Sequence, residues 1–101
     1  MLLEIQCLAS PPGTDDDRYR HVEAAIAVIQ ASGLKYEVGA LGTTVEGSAD
    51  ELWPLARRVH EACLEAGAAS VISVAKFAQA VDPARQSTMS SLTGKFRETS
   101  R

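Results

Sequence analysis

Gly33-Leu34-Lys35-Tyr36-Glu37-Val38-Gly39-Ala40-Leu41-Gly42-Thr43-Thr44-Val45-Glu46-Gly47 is the stretch whose reading decides the fold. Two extended runs, residues 34–41 and 43–46, meet at Gly42, which can take the positive φ that a tight reversal between strands often needs. The stretch therefore predicts a β-hairpin. Tyr36, Val38 and Ala40 share one face with Thr43 and Val45, while Lys35, Glu37, Thr44 and Glu46 share the other. One face suits a core and the other gathers polar groups. Gly33 follows an apolar-periodic segment and suits the end of a helix, and Gly47 precedes Ser48-Ala49-Asp50-Glu51, a capping-box pattern. The hairpin thus joins two helices.

Toward the N-terminus, Tyr19, Val22, Ala25, Ile26 and Ile29 recur at helical spacing, predicting an amphipathic helix over residues 18–32. Asp15-Asp16-Asp17 stands where that helix begins, and capping of its free amides is the expected role. His21 borders the apolar stripe without a ligand cluster and is expected at the solvent or the edge of the core. Ser10-Pro11-Pro12-Gly13-Thr14 breaks a first strand over residues 1–8, in which Leu3, Ile5 and Cys7 point one way and Glu4 and Gln6 the other.

Beyond the hairpin, Leu52, Leu55, Ala56, Val59, Cys63 and Ala66 mark a second amphipathic helix ending at Gly67. Pro54 would delete a hydrogen bond inside a helix, so residues 48–53 are expected to form a separate turn with Pro54 as the first helical residue. Arg57 and Glu61 are spaced for an i,i+4 pair, and His60 falls to one side of the apolar stripe, at a surface or interface position. Residues 68–77 are rich in β-branched side chains and form the last clear strand, apolar enough on both faces to expect a partner subunit. Residues 79–101 have low periodicity. A short helix over residues 87–96 and fraying over 98–101 are the expectations there.

The 101 residues suit one core, with 46% apolar and 23% charged side chains, ordinary values for a globular protein. No run is long and apolar enough to span a membrane and no cleavable leader precedes the first strand, so a cytoplasmic location is expected. A net charge of −3 with dispersed basic residues argues against nucleic-acid binding. Cys7 and Cys63 lack metal-ligand spacing and read as buried thiols. No nucleophile and base are spaced for catalysis, so no enzymatic activity, cofactor or metal is expected.

Strand, helix, two-stranded hairpin, helix and strand give a ferredoxin-like β-α-β-β-α-β arrangement, an α+β fold with an antiparallel four-stranded sheet and two helices on one face. Residues 1–78 carry that domain and residues 79–101 an irregular extension of it. The bare face is then expected to be covered by another copy. The order of Pro12-Gly13-Thr14, Gly33-Leu34-Lys35-Tyr36-Glu37, Gly42-Thr43, Glu46-Gly47, His60-Glu61-Ala62, Gly67-Ala68 and Lys76 resembles the thiamine-binding-protein-like family. The resemblance runs from Leu3 to Lys76 and departs after it, at Phe77-Ala78-Gln79-Ala80 and the Ser/Thr-rich tail. It implies non-catalytic binding of thiamine or its hydroxymethyl aminopyrimidine moiety by a subunit that forms homodimers or homotetramers.

The residues make such binding chemically sensible, because a carboxylate can engage the ring nitrogen and amine on one edge of an aminopyrimidine. With the first and third strands taken as adjacent and parallel, Glu4 and Gln6 are expected beside Thr44 and Glu46, with Glu37 across the hairpin. Tyr36, Thr43 and Lys76 complete the candidate ligand-binding set, near a subunit boundary. The same polar groups could instead serve an assembly or regulatory module with no small ligand.

Overall fold

The structure, a computed structural model, describes residues 1–99. The strands are β1 (Leu2–Ser10), β2 (Tyr36–Val38), β3 (Thr43–Glu46) and β4 (Ser70–Ala78). The helices are α1 (Arg20–Ala31), α2 (Ala49–Glu65) and α3 (Met89–Thr99), with one 3-10 turn over Pro83–Arg85. The strands form one sheet in the order β2-β3-β1-β4, and every neighbouring pair is antiparallel. This is the ferredoxin-like arrangement. It corrects the expectation that β1 and β3 run parallel: the hairpin reverses the chain after β2, so β3 must descend where β1 ascends.

One face of the sheet carries the core. Leu3 and Ile5 of β1 and Val45 of β3 meet Ala25 and Ile29 of α1 and Leu52, Leu55, Val59 and Cys63 of α2, all buried in one cluster. Each large aliphatic side chain so buried contributes about 1.5–3 kcal/mol. The periodicities that place these residues are 2 in the strands and 3.6 in the helices, so the same few positions define both elements and core.

The hairpin is shorter than its sequence suggests. β2 spans Tyr36–Val38, and residues 39–42 form the reversal, closed by the Gly39 N–H donating to the Gly42 carbonyl at 2.8 Å. Gly42 does not adopt positive φ. A side chain there would instead approach the Ile5 carbonyl to 3.3 Å, so close passage over β1 is what the position requires. Gly33 does take positive φ, +75°, just past α1.

The start of α1 also differs. The acidic run lies ahead of the helix, and Tyr19 at the N-cap makes no side-chain cap. The amides of His21 and Val22 donate to the Pro12 carbonyl and that of Arg20 to the Asp17 carbonyl, so loop backbone satisfies what the aspartate side chains were expected to. The same loop buries His21, which is 3% exposed, with Nδ1 2.7 Å from the Pro11 carbonyl oxygen. His21 is thus a core residue that pins residues 11–13 to α1.

α2 runs through Pro54 without a break. Ser48 and Glu51 form a full capping box, and Leu52 is buried in line with Leu55 and Val59 at i, i+3 and i+7. A proline in a helix costs about 3 kcal/mol. Burying Leu52 in register with Leu55 contributes a comparable amount, and the box adds about 1 kcal/mol, so the helix begins at Ala49. Trp53 stacks on Phe77 of β4 at 3.8 Å between ring centroids.

α3 corrects the expectation of helices on one face alone. Its backbone begins with the Met89 N–H donating to Glu46, and Lys35 Nζ and Arg97 Nη2 reach Ser90 Oγ at 3.2 Å and Glu37 Oε2 at 2.6 Å. Lys35, Glu37 and Glu46 all project from the side of the hairpin opposite the core. α3 therefore lies over the β2–β3 half of the second face, where Met89 and Leu2 are buried. Thr88 and Ser91 cap it reciprocally. The fraying expected from residue 98 onward falls partly on residues 100–101, outside the described residues.

Candidate functional site

Strand pairing fixes the polar face. Glu37 pairs with Thr44, Thr44 with Glu4, and Glu4 with Lys76, so four of the sequence-predicted residues form a single row across all four strands. Glu4 and Lys76 are 3.5 Å apart. Glu46 lies one step along, at the N-terminus of α3, and Glu37 is engaged by Arg97. All three carboxylates are thus already engaged within the chain, Glu4 by the exposed Lys76. Below the row, toward the far end of β1 and β4, Leu8, Ile72 and Val74 stand exposed.

Tyr36 and Thr43 do not join that row. Their alternation points them to the core side, where Thr43 is buried. Thr43 instead belongs to a concave site that the sequence did not reveal. Pairing between β3 and β1 ends at Thr43 with Ile5, and β1 continues past it with no strand on that side. The gap is roofed by α1 and by the reversal at residues 39–42, leaving a cavity of about 210 Å³. Its walls include Val22, Ile26 and Ile29 of α1, with Thr43 and Cys7 as the polar side chains; Gln6 borders it from β1, but its side chain alternates to the outer face with Glu4.

The hydroxyl of the buried Thr43 makes no hydrogen bond among the described residues. Most protein polar groups at such half-enclosed positions have a partner, so an apolar pocket with an unclaimed hydroxyl has the usual composition of a small-ligand site. The alternation Tyr36, Val38, Ala40 hinted at an inner wall here. The bounds of β3 are readable, but the register that pairs its first residue, Thr43, with Ile5 and leaves the rest of β1 open on that side has no signal in the sequence.

Cys7 on the pocket wall continues into a polar chain. Its Sγ lies 3.4 Å from Ser73 Oγ, which lies 2.6 Å from His60 Nδ1. His60, expected at a surface or interface position, is half-buried and reaches Ser73 of β4. Cys63 sits behind, fully buried, where burial and then the neighbouring Cys7 push its thiol up to about 11. Among the described residues no group of three or more His, Cys, Asp or Glu is placed to hold a metal ion, and no helix is long and apolar enough to cross a membrane.

A four-stranded antiparallel sheet with helices packed on it defines an α+β fold of the ferredoxin-like class. The chain belongs to the thiamine-binding protein family, which matches residues 5–97. A UPF0045 protein of Clostridium perfringens is 38% identical over 88 residues, covering 85% of this chain and 88% of that protein. A Bacillus cereus domain of unknown function, DUF77, superposes with a TM-score of 0.78 at 35% identity, over 97% of this chain and 92% of that one. A Thermotoga maritima protein described provisionally as acting in thiamine biosynthesis or salvage shares the fold, with a TM-score of 0.74 at 23% identity over 96% and 100% of the two chains.

Proposed function

We propose that this protein binds thiamine or its hydroxymethyl aminopyrimidine moiety without transforming it, with the pyrimidine in the pocket between α1, β1 and the β2–β3 reversal. The observation that carries this reading is the cavity of about 210 Å³ in which the Thr43 hydroxyl is unclaimed. An aminopyrimidine presents a ring nitrogen acceptor and an amine donor side by side. The Thr43 hydroxyl, able to donate and to accept, can pair with either. The apolar wall of α1 supplies the surface against which a flat ring is buried. The unpaired thiols of Cys7 and Cys63 suit a reducing, cytoplasmic compartment.

Calorimetric titration with thiamine and with the free aminopyrimidine tests the reading. Thr43→Val is expected to weaken binding by about tenfold, the loss of one useful hydrogen bond. Absence of heat with either ligand at millimolar concentration would remove the proposal.

The row Glu37-Thr44-Glu4-Lys76 favours a second reading, in which a carboxylate pairs with the protonated ring on the outer face near a subunit boundary. Glu4→Gln separates the two: it abolishes binding on the outer face and leaves the pocket unaffected. The exposed Leu8, Ile72 and Val74 favour a third, an assembly module that forms homodimers or homotetramers through that face. A monomer by light scattering at micromolar concentration would exclude it.

A further inference from the structure

We infer that Cys7 is a modification site: a thiol on the pocket wall that adds to a small, uncharged, soft carbon electrophile such as an activated alkene, with His60 taking its proton through Ser73. Three separate observations meet at this residue. Cys7 lines the cavity, so a molecule admitted there lies against its sulfur. Its Sγ is within hydrogen-bond reach of Ser73 Oγ, and that hydroxyl is 2.6 Å from His60 Nδ1. His60 is half-buried, so its other nitrogen can exchange protons with solvent. A nucleophile, a hydroxyl relay and an imidazole base in sequence is the arrangement by which weakly acidic nucleophiles are activated.

The class of electrophile follows from the pocket. Its α1 wall is aliphatic and holds no charged side chain, which disfavours ionic reagents, and a volume of about 210 Å³ admits a ring-sized molecule and little more. A thiolate is a soft nucleophile and prefers a polarised carbon of the same character. The addition balances without any further reactant. The Cys7 proton passes to Ser73 Oγ while the Ser73 proton passes to His60 Nδ1, in the tautomer that carries its hydrogen on Nε2. Sulfur then bonds to the alkene carbon β to the activating group as the π bond breaks, and the proton returns from His60 or water to the carbon next to that group. The net change is addition of S–H across C=C.

Cys63 serves as an internal control. It is fully buried, does not line the cavity, and keeps its proton at neutral pH. The inference does not depend on the identity of the physiological ligand, since it rests only on the cavity and the three side chains.

The experiment treats the full-length protein with N-ethylmaleimide at neutral pH and follows the rate by intact mass, with peptide mapping to assign the site. One adduct at Cys7 and none at Cys63 is expected, and none at all in Cys7→Ser. Ser73→Ala and His60→Ala are expected to react at least about tenfold more slowly, the low end of what a positioned base supplies. Ser73→Thr, which restores the hydroxyl, is expected to recover most of the rate. Should His60→Ala melt early, the Ser73→Ala and Ser73→Thr pair decides alone. The inference is overturned by labelling of Cys63 as fast as Cys7, by no adduct at Cys7, or by Ser73→Ala reacting at the wild-type rate.

Discussion

Cys63 carries an ionisable group in the middle of the core, and its stability contribution has a definite sign. Unfolded, the thiol ionises near its ordinary value of 9.0, whereas folded it holds its proton up to about 11. Between those pH values the unfolded state binds fewer protons, so stability falls as pH rises. Urea melts from pH 8 to 11 are expected to show a steeper loss in the wild type than in Cys63→Ala, and parallel curves would count against it. Gly67, at φ +126°, would bring a side chain to 3.0 Å from His21 Nε2. Gly67→Ala is therefore expected to destabilise by more than about 1 kcal/mol, read by thermal melting. The burial of His21 was not legible beforehand: its place beside the apolar stripe was visible, but the loop carbonyl that satisfies it comes from Pro11, ten residues away.

At the scale of elements, α2 is a contest between its proline and its leucines. Pro54→Ala restores a donor for the Asp50 carbonyl and is expected to stabilise the protein by about 1–3 kcal/mol. Leu55→Ala should cost about 2–5 kcal/mol, and chemical denaturation measures both. The capping box at Ser48 and Glu51 was readable because its partners lie three residues apart, and the alternation of the hairpin for the same local reason. The continuation of α2 through Pro54 was not, because it depends on the fit of Leu52 into a core assembled from distant strands. α3 illustrates the same limit. Its anchors are Met89 on Glu46 and Arg97 on Glu37, pairs separated by 43 and 60 residues. Arg97 and Glu37 are both partly exposed, so Arg97→Ala should cost no more than about 1 kcal/mol, while Met89→Ala, which empties a buried site, should cost about 2–4 kcal/mol.

For the whole molecule, the sheet separates two candidate surfaces. Its outer face bears the row Glu37-Thr44-Glu4-Lys76, legible in the sequence because alternation along a strand survives any pairing, even though the direction of β3 relative to β1 was misread. The pocket on the other side arises where β3 stops and β1 goes on, a consequence of register that no single strand encodes. If the vitamin enters that pocket, it covers the Cys7 thiol, and prior addition of thiamine is expected to slow maleimide labelling in proportion to occupancy. Backbone amide chemical-shift mapping during titration with the aminopyrimidine tests the assignment of the site most directly. The account predicts that the amides of Gln6, Cys7, Val22 and residues 40–43 move together and saturate with one midpoint. Movement confined to Glu4, Glu37, Thr44 and Lys76, or no movement at millimolar ligand, would contradict it.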